Sequence, residues 1–227
     1  MIMVNPVGSS KKFVYLKRWT KRWLEFKKDL YLKKEQISVL IGSMLGDGTL
    51  RIGDGAVNAN FKTEHGLEQK KYVFWKYRVF EEWVGTPPKI SYRYRENGER
   101  YKKSWWFRTV RHPEITHFYK FFYPKNKKII PKNIESFLDP LSLAVWVMDD
   151  GNRSGKSINL STYAFSLSEI KRIQKALRNR FCLESNFRPD RNKGYRMYFN
   201  VQNTEKLVKI IFPYILPSMC YKLPRTP

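Results

Sequence analysis

The chain has 227 residues, 42% hydrophobic and 16% aromatic, with 44 Lys and Arg against 20 Asp and Glu for a net charge of +24. That aromatic content excludes a disordered chain, and the length suffices for one domain or two small ones. No run of 18 apolar residues could cross a bilayer, the opening residues lack a signal peptide's apolar stretch, and two cysteines without CxxC spacing point to a reducing intracellular setting, a bacterial cytoplasm or an organelle.

Residues 11–34 hold ten Lys or Arg, and Leu16, Trp19, Trp23, Phe26 and Leu30 recur at steps of three and four. This predicts an amphipathic helix within a basic N-terminal extension, 1–34. Gln36 to Asp47 reads as an apolar helix ended by Gly48. Thr49–Ile52 and Asn58–Thr63 read as a hairpin about Gly53-Asp54-Gly55. Helical spacing returns over 68–84 and stops at Pro87-Pro88. Ile90–Arg95 and Tyr101–Val110 make a second hairpin around Asn97-Gly98, and Pro113–Phe122 a further helix.

The order then restarts. Asp139 is placed as N-cap and Pro140 as first residue of a second apolar helix, which runs to Asp150 and ends at Gly151. Strand Ser157–Thr162, a helix from the Ser166 to Glu169 cap through Phe181, strands Ser185–Arg188 and Tyr195–Val201, and helix Thr204–Phe212 follow. The chain thus divides into a first repeat (35–124), a linker (125–139) and a second repeat (140–227). The two aspartates, 47 and 150, stand 103 residues apart, and Lys128 and Lys222, each shortly before a proline, 94 apart. Such a repeat predicts pseudo-two-fold symmetry, which suits a DNA duplex.

The charge asks for an anionic partner, because +24 repels itself in a compact fold. The basic residues are spread from Lys11 to Arg225 and interleaved with aromatics, as in Tyr92-Arg93-Tyr94-Arg95. A membrane-surface protein would concentrate them on one helix, so the pattern reads as a phosphate-tracking surface.

Both apolar helices end in acid, Asp47 in one and Asp149-Asp150 in the other. A carboxylate there faces the negative end of the helix dipole, which costs roughly 0.3–1 kcal/mol. One instance is a polar helix stop; two at repeat-related positions mark a functional site. A divalent cation would remove the penalty, and oxygen ligands without His or Cys suit Mg²⁺, or Mn²⁺ in its place. Gly42 and Gly46 bare one face of the first helix, so parallel packing would bring Asp47 beside Asp150.

Leu40-Ile41-Gly42-Ser43-Met44-Leu45-Gly46-Asp47-Gly48 and Leu143-Ala144-Val145-Trp146-Val147-Met148-Asp149-Asp150-Gly151 resemble the two copies of the LAGLIDADG motif. The whole chain resembles a single-chain, two-repeat homing endonuclease of that family. The resemblance implies an α+β fold of two αββαββα halves, whose four-stranded antiparallel sheets form a saddle over DNA with the motif helices as interface. It implies Asp47 and Asp150 as metal ligands, Lys128 and Lys222 as the basic residues of the two active sites, and a monomer acting on a long, near-asymmetric duplex target. Val145 and Asp149 depart from the motif's small residues and make the second helix bulkier. His65 and Tyr163 stand nearest to the family's polar water-network position, although His65 also reads as an ordinary surface histidine.

The reaction so implied is metal-dependent phosphodiester hydrolysis in both strands. Base reading is expected from the outward hairpin positions: Arg51, Asn58, Asn60 and Lys62, then Arg93 and Arg95, in the first half. Arg153, Ser157, Asn159, Ser161, Arg188 and Arg196 are the counterparts in the second. The main alternative is an intron maturase that binds RNA and assists splicing, which need not keep both aspartates and both lysines. A regulator on a borrowed scaffold would not need them either, and a zinc nuclease finds no ligand spacing among three histidines and two cysteines.

Overall fold

The computed structural model describes residues 2–4, 14–16 and 21–224. Strands β1 (Ile2–Val4) and β2 (Val14–Leu16) pair antiparallel, and helix α1 covers Lys21–Lys28. The single helix expected over 11–34 therefore does not form. Val-Tyr-Leu is a strand-favouring run that finds a partner in Ile-Met-Val, and the pairing outweighs helical spacing. Trp19 and the side chain of Trp23 lie outside the described residues, whereas Leu30 is buried just beyond α1.

The chain forms two compact units. One takes the described residues up to Gln36 together with Thr49–Phe118; the other takes Ile37–Gly48 with the residues from Tyr119 onward. Helix α2 (Lys34–Leu45) thus contributes most of its length to the second unit, so compactness cuts across the order of the repeats.

In the first unit, β3 (Thr49–Arg51), β4 (Asn60–Gly66), β5 (Lys89–Tyr94) and β6 (Arg100–Arg108) form an antiparallel sheet in the order β3-β4-β6-β5. Buried and half-exposed side chains alternate along all of β4, so one face is core and one is wet. Phe61 and Phe107 on the inner face meet Phe80 and Tyr77, with Phe61–Phe80 centroids 5.2 Å apart. Helix α3 (Lys70–Val79) supplies Tyr72, Val73 and Tyr77 to this core, and α4 (Pro113–Phe122) ends the repeat.

In the second unit, α5 (Pro140–Asp150) starts as its sequence predicts. Asp139 accepts from the Ser142 N–H at 2.7 Å, and Pro140 occupies the first turn, where no N–H is needed. Strands β7 (Gly151–Ser154) and β8 (Ser157–Ser161), helix α6 (Leu167–Phe181), strands β9 (Asn186–Pro189) and β10 (Tyr195–Phe199) and helix α7 (Val201–Ile211) follow. The sheet order β7-β8-β10-β9 repeats that of the first unit, as two copies of one motif require. Its inner face, Ile158, Leu160, Met197 and Phe199, packs with Leu207 and Ile211 into a core from which water is excluded.

Candidate active site

Two apolar helices meet where glycine permits it. A β-carbon on Gly42 would stand 2.3 Å from the Ser142 carbonyl oxygen and 2.7 Å from Val145 Cβ; one on Gly46 would stand 2.4 Å from Asp149 Cβ. The contacts 42 to 145 and 46 to 149 advance together along both helices, so α2 and α5 run parallel with their C-terminal ends at one place. The bulk that Val145 and Asp149 bring to α5 fills the gaps that Gly42 and Gly46 leave in α2. At the other end, the Ser38 hydroxyl donates to Asp139 at 2.5 Å.

The acidic tips are brought together and made unlike one another. Asp47 is exposed in the turn after α2, whereas Asp150 is the last residue of α5 and half-buried. Burial foremost, then the charges of Asp47 and Asp149, push the Asp150 carboxyl up to about 8, while Lys128 and Lys222 pull it down. Four charged groups therefore act on Asp150 within one compact unit. Asp149 is 6% exposed and its carboxylate accepts the backbone N–H of Asp47 at 3.2 Å.

Each lysine sits on the carbonyls at the end of its own half's motif helix. Lys128 Nζ donates to the Gly46 and Gly48 carbonyls at 2.7 and 3.1 Å, and Lys222 Nζ to the Asp149 carbonyl at 3.1 Å. A cation at the negative helix end offsets the dipole penalty that the aspartates incur. The segments are pinned for this: Ile129 N–H bonds the Phe122 carbonyl, Ile130 N–H bonds Glu169, and Met219 and Leu223 are buried beside Lys222. Burial lowers the Lys222 ammonium from the ordinary lysine range, against the three aspartates, which raise it.

Among the described residues, no three His, Cys, Asp or Glu side chains converge as a metal-binding group. The donor chemistry still fits Mg²⁺, which is bound through one or two carboxylates plus substrate phosphates and keeps its waters rather than filling a protein cage. Asp47 and Asp150 would be the carboxylates to hold it, and the raised Asp150 is a group that a neighbouring dication would ionise.

The wet face of the first sheet carries Arg51, Asn60 and Lys62, with Arg93 exposed on β5, as expected. It also carries Glu64, Trp106 and Arg108, which sequence reading did not single out. Glu64 bonds Lys62, Lys103, Ser91 and Ser104. Burial raises its pKa, but the bonds from Lys62 and Ser104 and the Lys62 charge prevail and hold it at about 2. Arg95 lies past β5 and pairs with Glu99 at 2.6 Å. Asn58 precedes β4 and accepts from Thr116 of α4, because the strand begins two residues later than its alternation suggested. His65 is on the inner face, 4% exposed, with Nε2 3.2 Å from Thr63 Oγ1 and 3.3 Å from Lys76 Nζ. It is a core histidine of the first unit and not a surface one.

On the second sheet, Ser157, Asn159, Ser161, Arg188 and Arg196 share the outer face. Arg153 does not. It pairs with Ile158, and cross-strand partners share a face, so it points to the helix side, where it lines a cavity of about 690 Å³ with Lys209, Phe212 and Tyr221. Asn152, opposite Asn159, takes the outer place, joined by Tyr198 and Asn186. Only the one-residue register, fixed by Gly151 being the first and buried residue of β7, could have revealed this. Tyr163 does not join the acids either: its hydroxyl donates to Asp190 and accepts from Arg196 Nε at 3.0 Å, and Arg196 also pairs with Asp190 at 2.7 Å.

Comparison with known proteins agrees with this fold. The model of the LAGLIDADG DNA endonuclease family matches residues 37–207. Cytochrome b mRNA maturase bI2 of Debaryomyces hansenii is 32% identical over 196 residues, 85% of this chain and 74% of that protein. DNA endonuclease I-ChuI of Chlamydomonas applanata is 28% identical over 209 residues, 85% of this chain and 95% of that one. The solved structure of the homing endonuclease I-WcaI bound to its DNA recognition sequence superposes with a TM-score of 0.84 at 28% identity, covering 93% of this chain and 96% of that one.

Proposed function

This chain belongs to the LAGLIDADG DNA endonuclease family, and on that premise we propose that it cuts both strands of a long, specific duplex target by divalent-metal-dependent hydrolysis. The observation that carries this reading is the meeting of Asp47, Asp150, Lys128 and Lys222 at one end of the helix pair.

Asp47 and Asp150 would hold a divalent cation, which when bound would supply neutralising charge at the scissile phosphate and lower the pKa of the attacking water. In each strand a water oxygen gives up a proton and bonds to phosphorus, the P–O3′ bond breaks, and the 3′ oxygen leaves and takes up a proton to become a hydroxyl. Lys128 and Lys222 stabilise the negative charge that accumulates on the phosphate. Their ammonium groups are fixed by helix-end carbonyls before substrate arrives, so no reorganisation is needed during the step. The lowered Lys222 pKa suits it to exchange a proton with the attacking water. Arg51, Asn60 and Lys62 on one sheet and Asn152 and Arg196 on the other are the groups offered for base reading, where Arg matches guanine and Asn adenine.

The test is cleavage of a randomised plasmid pool with Mg²⁺. A discrete set of linearised sites is expected, with Asp47→Asn and Asp150→Asn each losing double-strand cutting while still binding the recovered site. Full activity in both variants, or no cleavage by the unmodified protein, overturns the reading. The name of the Debaryomyces relative favours a second reading, splicing support through intron RNA. Tight binding of intron RNA without any DNA cleavage would select it.

A further inference from the structure

We infer that Asp149 is a positioning residue for Asp47, and that it serves one of the two active sites more than the other. The inference rests on the endonuclease reading above and assigns a role to a residue that departs from the motif.

The two aspartates are held differently. Asp150 is part of α5 and takes its place from the helix itself, whereas α2 stops at Leu45 and leaves Asp47 in the turn that follows. There the carboxylate of Asp149 reaches across the helix pair and accepts the Asp47 backbone N–H at 3.2 Å. Its reach is set by Gly46: the position of a Gly46 β-carbon is 2.4 Å from Asp149 Cβ and 2.9 Å from its Oδ2, so the absence of a side chain just past the end of α2 is what admits the carboxylate. The Asp149 carbonyl meanwhile holds Lys222 at 3.1 Å, tying the ammonium of one half to the residue that steadies the acid of the other.

The contact has no mirror image. Adding the repeat offset of 103 exchanges Asp47 with Asp150 and Gly46 with Asp149, so the symmetry-related contact would run from a side chain on Gly46 to the Asp150 N–H. Glycine has none. Pseudo-symmetry is therefore broken at this point, and the loss of Asp149 should fall on the strand that Asp47 serves.

The experiment uses the full chain and a duplex carrying a cleavage site recovered from the plasmid pool, its two strands labelled with different fluorophores. Asp149→Ala should slow one strand by roughly tenfold or more relative to the other, the scale of removing an outer-shell partner, and nicked duplex should accumulate. Asp149→Asn keeps an acceptor oxygen and should return the strand ratio close to that of the unmodified protein. The ratio is internal to each molecule, so partial unfolding, which lowers both rates together, does not imitate the effect. Where Asp149→Ala does not fold, Asp149→Ser, too short to reach the N–H, replaces it. Without metal, amide hydrogen exchange at Asp47 should quicken in Asp149→Ala and stay slow in Asp149→Asn. Equal slowing of both strands, no slowing, or an Asn variant as biased as the Ala variant overturns the inference while leaving the endonuclease reading intact. No cleavage by the unmodified protein overturns that reading and this inference with it.

Discussion

Val145 on α5 occupies the space that a side chain on Gly42 of α2 would need: a β-carbon there would lie 2.7 Å from Val145 Cβ and 2.3 Å from the Ser142 carbonyl oxygen. The second obstacle is backbone and cannot rotate away. Gly42→Ala should therefore destabilise the protein by about 1–3 kcal/mol, the usual cost of overpacking a core, and Gly42→Ala with Val145→Ala should recover only part of it. Urea unfolding with matched m-values reads this directly.

Asp150 ties stability to pH in the direction opposite to an ordinary surface acid. A carboxyl raised from 3.8 to about 8 binds its proton more tightly in the folded chain than in the unfolded one. The metal-free protein should lose stability as pH rises from about 4 to 8, and Asp150→Asn should remove that loss. The Tm difference between the two should be near zero at pH 4 and several degrees at pH 8, with the Asn variant higher. Mg²⁺ should narrow the gap at pH 8, because binding requires the ionised form and releases a proton.

Lys222 should separate binding from chemistry. Lys222→Met removes the charge and keeps the length, so target affinity should change by about threefold or less, as a single cation among 44. Turnover on the strand it serves should fall by roughly 10²–10⁴, the range of a positioned acid or base. Single-turnover rates at saturating enzyme alongside Kd measurements distinguish the two. An equal loss in both would make Lys222 a phosphate anchor.

Arg196 is held in place by Tyr163 and Asp190 on an exposed sheet. Tyr163→Phe removes the hydroxyl that spans the two charged groups, and the guanidinium gains freedom. Selection of cleaved sites from a library should then show relaxed preference at one base pair, worth about 1 kcal/mol of a bidentate contact, with other positions unchanged. A uniform weakening at every position would assign Arg196 to phosphate instead.

The helix pair and its acids are legible in the sequence because each rests on local chemistry repeated twice. Asp139-Pro140 starts a helix by itself, an Asp-Gly at each apolar helix end breaks the dipole rule twice at one spacing, and alternation at the start of β4 is plain in Asn60, Phe61 and Lys62, whereas its continuation to Gly66, which buries His65, is not. The sheet faces were less legible. In β7 a shift of one residue exchanges Asn152 with Arg153, and four residues at an edge carry too little apolar pattern to choose. Strand formation at Val14–Leu16 depended on a partner segment ten residues earlier, which helical spacing does not register.

Sequence by itself thus determined the inventory: two motif helices, the acids at their ends, a lysine behind each, and a cationic surface for nucleic acid. Tertiary structure alone decided how these groups are held. The grip of Asp149 on Asp47, the lift in Asp150 and the seat of each lysine on a helix-end carbonyl all arise from parallel packing across Gly42 and Gly46. Such contacts join residues 73 to 103 positions apart, and their energies depend on burial and distance, quantities that no local pattern contains.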